Sequence, residues 1–275
     1  MSLRTAKWDR FARCSVVRFA RMDRVDGPTL KPGSVAGATF LTTRWSQVAA
    51  AVGDGPAGEA ALARLCEAYW RPLYFYVRRR GYDPEEARDM TQEFFARLLA
   101  HDWLERADPA KGRFRTYLLT VMQRMLADAH RRASTEKRGG QVLIGSLSLN
   151  WAEAEAHLVA EAVAPGETPE QAFDRRWAVT VLDRALTRLR TDSESAGRAA
   201  YFAVLEPFLS ADPEPGDYAA AAEQLQASPN GIAQSVLRLR ARFREMIRME
   251  IQETVMDPAQ AEEEWLVLRE ALRRR

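Results

Sequence analysis

The stretch that decides the fold is DPEEARDMTQEFFARLL at residues 83–99, followed by GRFRTYLLTVMQRMLADAHRR at residues 112–132. The first stretch opens on Asp-Pro-Glu-Glu, which predicts a helix N-terminus with a cap, a proline at the first helical position and acidic residues in the first turn. Apolar residues then recur at helical spacing, as Ala87, Met90, Phe94 and Leu98 in the first stretch and as Phe114, Tyr117, Leu118, Val121 and Met125 in the second. The pattern predicts two amphipathic helices, at about 85–100 and 114–132.

The composition of the whole chain also favours helices. Its 275 residues are 47% hydrophobic and 28% charged, which is typical of a soluble globular protein of two domains. Leu and Ala dominate over Val and Ile, and this composition favours helix. No uncharged apolar run is long enough to cross a membrane. We therefore predict an all-α protein that has no contact with a membrane.

Cysteine and histidine usage excludes several classes of site. The two cysteines, Cys14 and Cys66, are far apart, and the three histidines form no HExxH motif. A disulfide scaffold, a cysteine zinc site and a metalloenzyme are therefore not expected. We expect no cofactor, no metal and a reducing, cytoplasmic location.

The net charge of +2 hides a strong segregation of charge along the chain. Residues 111–138 carry eight Lys/Arg against two acids, and residues 228–249 carry five Arg against one acid. Residues 151–174 and 249–265 each carry six acids and no Lys/Arg. Two basic segments separated by acidic ones indicate two contacts with a polyanion. The alternative is that these charges only keep helix faces solvated.

Breaks in the pattern divide the chain into five segments. We expect two helical domains joined by a long linker, with extensions at both ends. The predicted segments are a basic arm at 1–38, a first helical domain at 39–138, a linker at 139–168, a second helical domain at 169–255 and a helical extension at 256–275.

The helix at 114–132 has a polar surface beside its apolar stripe. Small and amide side chains edged by arginine suit the close approach of a nucleic-acid strand. On a helical wheel this surface holds Thr116, Thr120, Gln123, Arg124, Ala127 and Arg131, with Lys111, Arg113 and Arg115 at its start and Arg132 at its end. On periodicity alone, Phe114 and Tyr117 are core residues more often than stacking platforms, and Tyr117 is still included among the predicted DNA contacts.

The C-terminal half contains a short helix at about 218–226, a tight turn and a longer arginine-bearing helix from about residue 230. This arrangement predicts a helix-turn-helix. Its second helix leaves polar side chains for bases and phosphates, namely Asn230, Gly231, Gln234, Ser235, Arg238 and Arg242. A plain packing hairpin is the alternative.

A third surface lies on the helix at 85–100. It combines acids, an amide and an arginine, in Asp89, Gln92, Glu93 and Arg97. Such a face suits a protein partner better than DNA. Paired carboxylates are also used in acid–base catalysis, but no histidine or second acidic helix joins these.

The two quoted stretches resemble conserved region two of bacterial sigma factors of the extracytoplasmic-function (ECF) type, in the sigma-70 family. The stretch YAAAAEQLQASPNGIAQSVLRLRARFREMI at 218–247 resembles region four of the same factors. The opening TTRWSQV, the KRGG tract and the helix RRWAVTVLDRALTRLR resemble one subgroup that has a longer linker. The likeness covers about residues 39–255, with both blocks in the family's order.

This resemblance implies a function without catalysis. The first domain would be a region-2-like helical bundle that binds core RNA polymerase through Asp89, Gln92, Glu93 and Arg97. It would also open promoter DNA, with the loop ending in Lys111-Gly112-Arg113-Phe114 holding a base flipped from the non-template strand. The second domain would read the upstream promoter element through a region-4-like helix-turn-helix. Core RNA polymerase and promoter DNA are the implied partners, and an anti-sigma factor is left open.

Two other functions compete with this one. A helix-turn-helix regulator that acts without polymerase would not need the acidic and amide face at 89–97. A helical enzyme would need a convergent polar pocket, and the sequence offers no Gly-rich phosphate loop, nucleophile motif or metal cluster. We also expect the acidic linker and C-terminal segment to fold over the basic faces and weaken DNA binding in the absence of polymerase.

Overall fold

The computed structural model describes residues 56–99, 103, 113–133, 149–160, 166–252, 255 and 258–273. These residues form helices and connecting turns, with no strand among them, so the predicted all-α class is confirmed. The helices are α1 (Pro56–Arg79), α2 (Pro84–Leu99), α3 (Phe114–Ala133), α4 (Trp151–Ala160), α5 (Pro169–Ser195), α6 (Ala199–Leu205), α7 (Pro207–Ser210), α8 (Asp217–Leu225), α9 (Pro229–Gln252) and α10 (Pro258–Arg273). No described helix is both long and apolar enough to span a bilayer.

Helix α2 begins where its sequence predicts. The backbone N–H of Glu86 donates to Asp83 Oδ1 at 2.9 Å, and the backbone N–H of Asp83 donates to Glu86 Oε2 at 3.0 Å. This reciprocal pair is a capping box, which satisfies two backbone donors at the helix N-terminus. Pro84 occupies the first helical position, where its missing N–H costs nothing.

The chain divides into two compact units. The first unit comprises Thr39–Trp177 and Gln252–Glu264. Its core joins α1, α2 and α3, and the ring of Tyr69 meets that of Phe114 edge-on with centroids 5.6 Å apart. Large side chains that are almost wholly buried build this core, among them Leu73, Phe94, Leu98, Leu118 and Met122.

Helix α4, which lies inside the predicted linker, packs in the first unit. The ring of Trp151 lies 4.9 Å from that of Trp70 and 5.4 Å from that of Tyr74, centroid to centroid. Glu155 accepts hydrogen bonds from Tyr74 and from Arg78, at 2.6 Å each. The first unit therefore extends well past the predicted boundary at residue 138.

The second unit comprises Ala178–Ile251 and Trp265–Arg275. One cluster of buried residues in it consists of Leu205, Phe208, Ala221, Ala222, Ile232 and Val236. A buried carboxylate adds a polar contact, because Glu250 accepts from Arg184 at 3.0 Å and pairs with Arg188 at 3.1 Å. This division falls between Trp177 and Ala178, between Ile251 and Gln252 and between Glu264 and Trp265, whereas the sequence places boundaries at 138 and 169.

The predicted C-terminal helix is present as α10. Its second half belongs to the second unit and buries Trp265, Leu268, Ala271 and Leu272. The guanidinium of Arg248 lies over the ring of Trp265, 5.1 Å from its centroid. The first half of α10, up to Glu264, belongs to the first unit.

Candidate nucleic-acid interface

Helix α3 presents a polar face on the surface of the first unit. Thr116, Gln123, Arg124, Ala127 and Arg131 are exposed, and Thr120 is partly exposed. The opposite side of the helix is anchored in the core by Phe114, Leu118, Met122, Met125 and Leu126. The six residues that the helical wheel grouped therefore lie together, on a helix that the core holds in place.

Some polar groups of this face already have partners. The Thr120 hydroxyl donates to the backbone oxygen of Thr116 at 2.9 Å, and the Gln123 amide donates to Glu170 at 3.3 Å. Arg131 forms an ion pair with Asp128. These contacts are exposed, so they are weak and exchange readily with water or another ligand.

The aromatic residues at the start of α3 differ from each other. Phe114 is fully buried, and its ring stacks on that of Tyr117 at 6.4 Å between centroids. The Tyr117 hydroxyl donates to the backbone oxygen of Trp103, and its side chain is partly exposed. Phe114 is thus a core residue, while Tyr117 stays at the edge of the polar face.

The cations at the start of α3 lie in an acidic surrounding. Arg115 pairs with Asp174 and, at 3.0 Å, with Glu264. Its guanidinium lies over the ring of Trp177, 4.7 Å from the centroid, and only 7% of its side chain is exposed. Arg113 pairs with Glu263 and, at 3.4 Å, with Glu264. In this arrangement Arg115 offers no free surface to DNA.

Two further predicted contacts of this face, Lys111 and the side chain of Arg132, lie outside the described residues.

The predicted partner-binding face of α2 is accessible. Asp89 is exposed, and Gln92, Glu93 and Arg97 are partly exposed. Arg97 forms an ion pair with Glu93 one turn away, and its guanidinium lies 5.7 Å from the ring centroid of Trp103. The structure thus brings these four residues together on one side of α2, as the spacing predicts.

In the second unit, α8 and α9 are joined by a tight turn. Gln226 adopts the left-handed conformation, with φ 51° and ψ 45°, and ends α8. The backbone N–H of Ala227 then returns to the Ala222 oxygen at 3.0 Å. The Ser228 hydroxyl accepts from the backbone N–H of Gly231 at 3.1 Å and so caps α9.

This cap crowds Gly231, because a Cβ there would lie 3.1 Å from the Ser228 hydroxyl oxygen.

The first turns of α9 expose polar side chains. Asn230, Gln234, Arg238 and Arg242 are exposed, whereas Gly231 and Ser235 are partly buried. Arg242 pairs with Glu245 at 2.7 Å and with Asp192 at 3.6 Å. The exposed face of α9 therefore combines amide and guanidinium groups, although acids already neutralise part of its charge.

Ser235 is the centre of a small hydrogen-bond network. Its hydroxyl lies 2.7 Å from the Tyr201 hydroxyl, donates to the Gly231 oxygen at 2.9 Å and accepts from Arg238 at 3.1 Å. The sequence predicted Ser235 as a DNA contact, and the structure gives its hydroxyl a role in orienting Arg238.

Two residues that the sequence reasoning missed, Tyr201 on α6 and Arg240 on α9 itself, help to hold α9 in place. Tyr201 holds Ser235 from α6, and Arg240 donates to the Phe208 backbone oxygen at 3.1 and 3.0 Å. Both contacts join residues more than 30 positions apart. Helical periodicity carries no signal for such pairs.

In the described part of the chain, no group of His, Cys, Asp or Glu is arranged to hold a metal ion.

Residues 65–136, which include most of α1 and all of α2 and α3, match the family model of Sigma-70 region 2. No curated protein and no solved structure is significantly similar to the chain. The match supports a sigma factor of the sigma-70 family, with a role in RNA polymerase binding and transcription initiation. The matched segment contains the predicted polymerase-binding face of α2 and the polar face of α3.

Proposed function

We propose that the chain is a sigma factor of the ECF type that directs core RNA polymerase to specific promoters. The observation that carries this proposal is the polar face of α3, which lies within the segment that matches Sigma-70 region 2. A sigma factor is not an enzyme, and the proposed action consists of binding two partners in a defined geometry. Because its partners are the transcription machinery and the chromosome, the protein would act in the cytoplasm.

The polar face of α3 is suited to a separated DNA strand. Thr116, Thr120 and Ala127 are small, so a sugar–phosphate backbone approaches the helix closely. Gln123 supplies an amide for base edges, and Arg124 supplies a charge for phosphate. We propose this face as the part that melts and reads the downstream promoter element. Extruding a base from the duplex costs a few kcal/mol, which contacts in such a face offset.

The helix pair α8–α9 supports the second half of the proposal. A short helix, a turn at residues 226–228 and a longer helix with an exposed polar N-terminal half follow in the order that a helix-turn-helix requires. Asn230 and Gln234 have the amide groups that read base edges in the major groove. Arg238 and Arg242 lie further along the helix, where guanidinium groups hold phosphates. We propose α9 as the reader of the upstream promoter element.

The accessible face of α2 separates a sigma factor from a regulator that acts without polymerase. A repressor or activator needs only α8–α9, whereas a sigma factor needs a docking surface for core polymerase. The ion pair that Glu93 forms with Arg97 is partly exposed and joins neighbouring turns of one helix, so it is worth about 0.3–0.5 kcal/mol. Replacing Glu93 by a lysine should therefore leave α2 folded.

The test is complex formation with purified core RNA polymerase. We expect the full chain to bind core enzyme stably at micromolar concentration and to support run-off transcription from a library of genomic fragments. Glu93→Lys should weaken the complex at least tenfold, whereas Glu67→Lys, at an exposed position of α1, should not. If the unaltered chain binds DNA but not core enzyme, the regulator function replaces this proposal.

A further inference from the structure

The beginning of α10 covers the cations at the start of α3. Both segments belong to the first unit. Arg113 pairs with Glu263 and Glu264, and Arg115 pairs with Glu264 and Asp174. Two arginines therefore share three carboxylates, two of which come from α10, about 150 residues further along the chain.

The carboxylates occupy the groups that a phosphate would use. A guanidinium presents its N–H donors in a planar fork that accepts a carboxylate or a phosphate in the same way. In Arg115, one terminal nitrogen is engaged by Asp174 and the other by Glu264. A nucleic-acid backbone therefore reaches Arg115 only after Glu264 has moved.

The two pairs differ in accessibility. The inner pair is enclosed, with 7% of the Arg115 side chain and 1% of the Glu264 side chain exposed. The outer pair is open to water, with 25% of the Arg113 side chain and 63% of the Glu263 side chain exposed. An exposed ion pair is worth little and is screened by salt, so the outer pair opens first.

The composition of the covering segment fits this role. Residues 249–265 contain six acids and no Lys or Arg, so no cation of this segment competes for Glu263 or Glu264. A segment of this charge is repelled by DNA and attracted by the basic start of α3. The same contact therefore stabilises the free protein and opposes the binding of a polyanion.

We propose that residues 258–264 act as an intramolecular competitor of the nucleic-acid backbone at Arg113 and Arg115. In the free chain the acidic turn of α10 holds both arginines, and DNA binds in full only when Glu263 and Glu264 leave them. The proposal rests on the proposed function, since it takes Arg113 and Arg115 as DNA contacts. It adds that the chain carries its own inhibitor of that contact.

The test uses the full chain and a mixed-sequence single-stranded DNA oligonucleotide, with binding followed by fluorescence anisotropy over a range of salt concentrations. Glu263→Gln removes the closer of the two carboxylates on Arg113 and leaves its 3.4 Å pair with Glu264. It should steepen the salt dependence of the binding constant by up to about 0.7, the value for one phosphate contact on a single strand. Glu263→Gln combined with Glu264→Gln frees Arg113 of both carboxylates and leaves Arg115 paired with Asp174 alone, so it should steepen the dependence further, up to about 1.4 for two contacts.

The matched control is Glu262→Gln. It removes the same charge from the same helix at an exposed position that the arginine pairs do not use. It should change the slope by less than half of one contact. Adding Arg113→Ala to Glu263→Gln should abolish the gain, because the gain arises from that arginine. If Glu263→Gln and Glu262→Gln bind DNA equally, the proposal is wrong.

Two features of the design keep the result readable. Glu263 is largely exposed, so Glu263→Gln tests the proposal even if loss of the buried Glu264 carboxylate unfolds the double variant. Binding to core polymerase is measured on the same variants. A gain in DNA affinity without any polymerase complex would support the competitor and overturn the sigma function, and a polymerase complex without a gain would do the reverse.

Discussion

At the scale of single residues, Glu155 shows how one carboxylate joins two helices. It accepts hydrogen bonds from Arg78 Nε at 3.1 Å, from Arg78 Nη2 at 2.6 Å and from the Tyr74 hydroxyl at 2.6 Å. The Arg78 hydrogen bonds hold the pKa of Glu155 below its ordinary value. Burial, together with the hydrogen bond to Glu155, raises the pKa of Tyr74. The ionised carboxylate is therefore the form that ties α4 to α1.

This network makes stability depend on pH. We expect Glu155→Gln to lower the free energy of unfolding by about 2 kcal/mol at pH 7, the scale of hydrogen bonds to a charged group. The pKa of Glu155 in the folded chain lies below its unfolded value of about 4.3. The stabilisation is therefore complete above the unfolded pKa and is lost as pH falls through the folded pKa.

The measurement is urea unfolding followed by circular dichroism at pH 7 and at a series of acidic pH values. The two proteins should converge in stability at low pH, while Glu67→Gln, at an exposed position of α1, should track the unaltered chain throughout. A difference that stays constant across the pH range would mean that the Glu155 charge does not contribute.

At the scale of elements, α9 combines an anchored side and an exposed side. Ile232, Val236, Phe243 and Met246 are buried, and Arg240 is tied to the backbone oxygen of Phe208. The opposite side carries Gln234, Arg238 and Arg242 at the surface. A helix fixed in this way holds its polar side chains in a constant position, which base reading requires.

The exposed arginines of α9 predict a salt effect. Arg238→Ala and Arg242→Ala should each weaken binding of duplex promoter DNA across sequences. Each should reduce the salt slope by about 0.9, the value for one lost phosphate contact. Gln234→Ala should leave the slope unchanged and alter which upstream sequence is preferred. An unchanged slope in both arginine variants would show that neither side chain contacts phosphate.

At the scale of the whole molecule, the C-terminal segment is part of the folded structure. The sequence pattern predicts a helical extension at residues 256–275. In the structure, α10 buries Leu268 and Leu272 almost completely in the second unit. Its first half contributes the carboxylates that cover Arg113 and Arg115 in the first unit. Removing the segment would therefore change stability and charge together, which is why single substitutions are the better probes.

A pair of leucines on α10 checks this structural role. Leu268→Ala removes a side chain with no exposed surface and should lower the free energy of unfolding by about 3 kcal/mol. Leu266→Ala, where 60% of the residue is exposed, should change it by less than about 0.5 kcal/mol. Urea unfolding compares the two variants, and equal effects would contradict the burial of α10.

The sequence by itself determined the helices and their polar faces, because capping and helical periodicity are local. The box at Asp83–Glu86 starts α2 as predicted, and the six residues that the wheel of α3 groups are exposed or partly exposed. Even so, Met122 takes the core position that periodicity gave to Val121, which is partly exposed. Which side of a helix faces the core depends on the elements that pack against it.

Only the tertiary structure decided which charges meet. Arg115 was predicted as a DNA contact from its place at the start of a basic helix, and the fold buries it against Asp174 and Glu264, 59 and 149 residues away. The packing of α4 on α1 was equally invisible along the chain. Periodicity reports neighbours within one or two turns of a helix, whereas ion pairs between distant segments depend on which elements the core brings together.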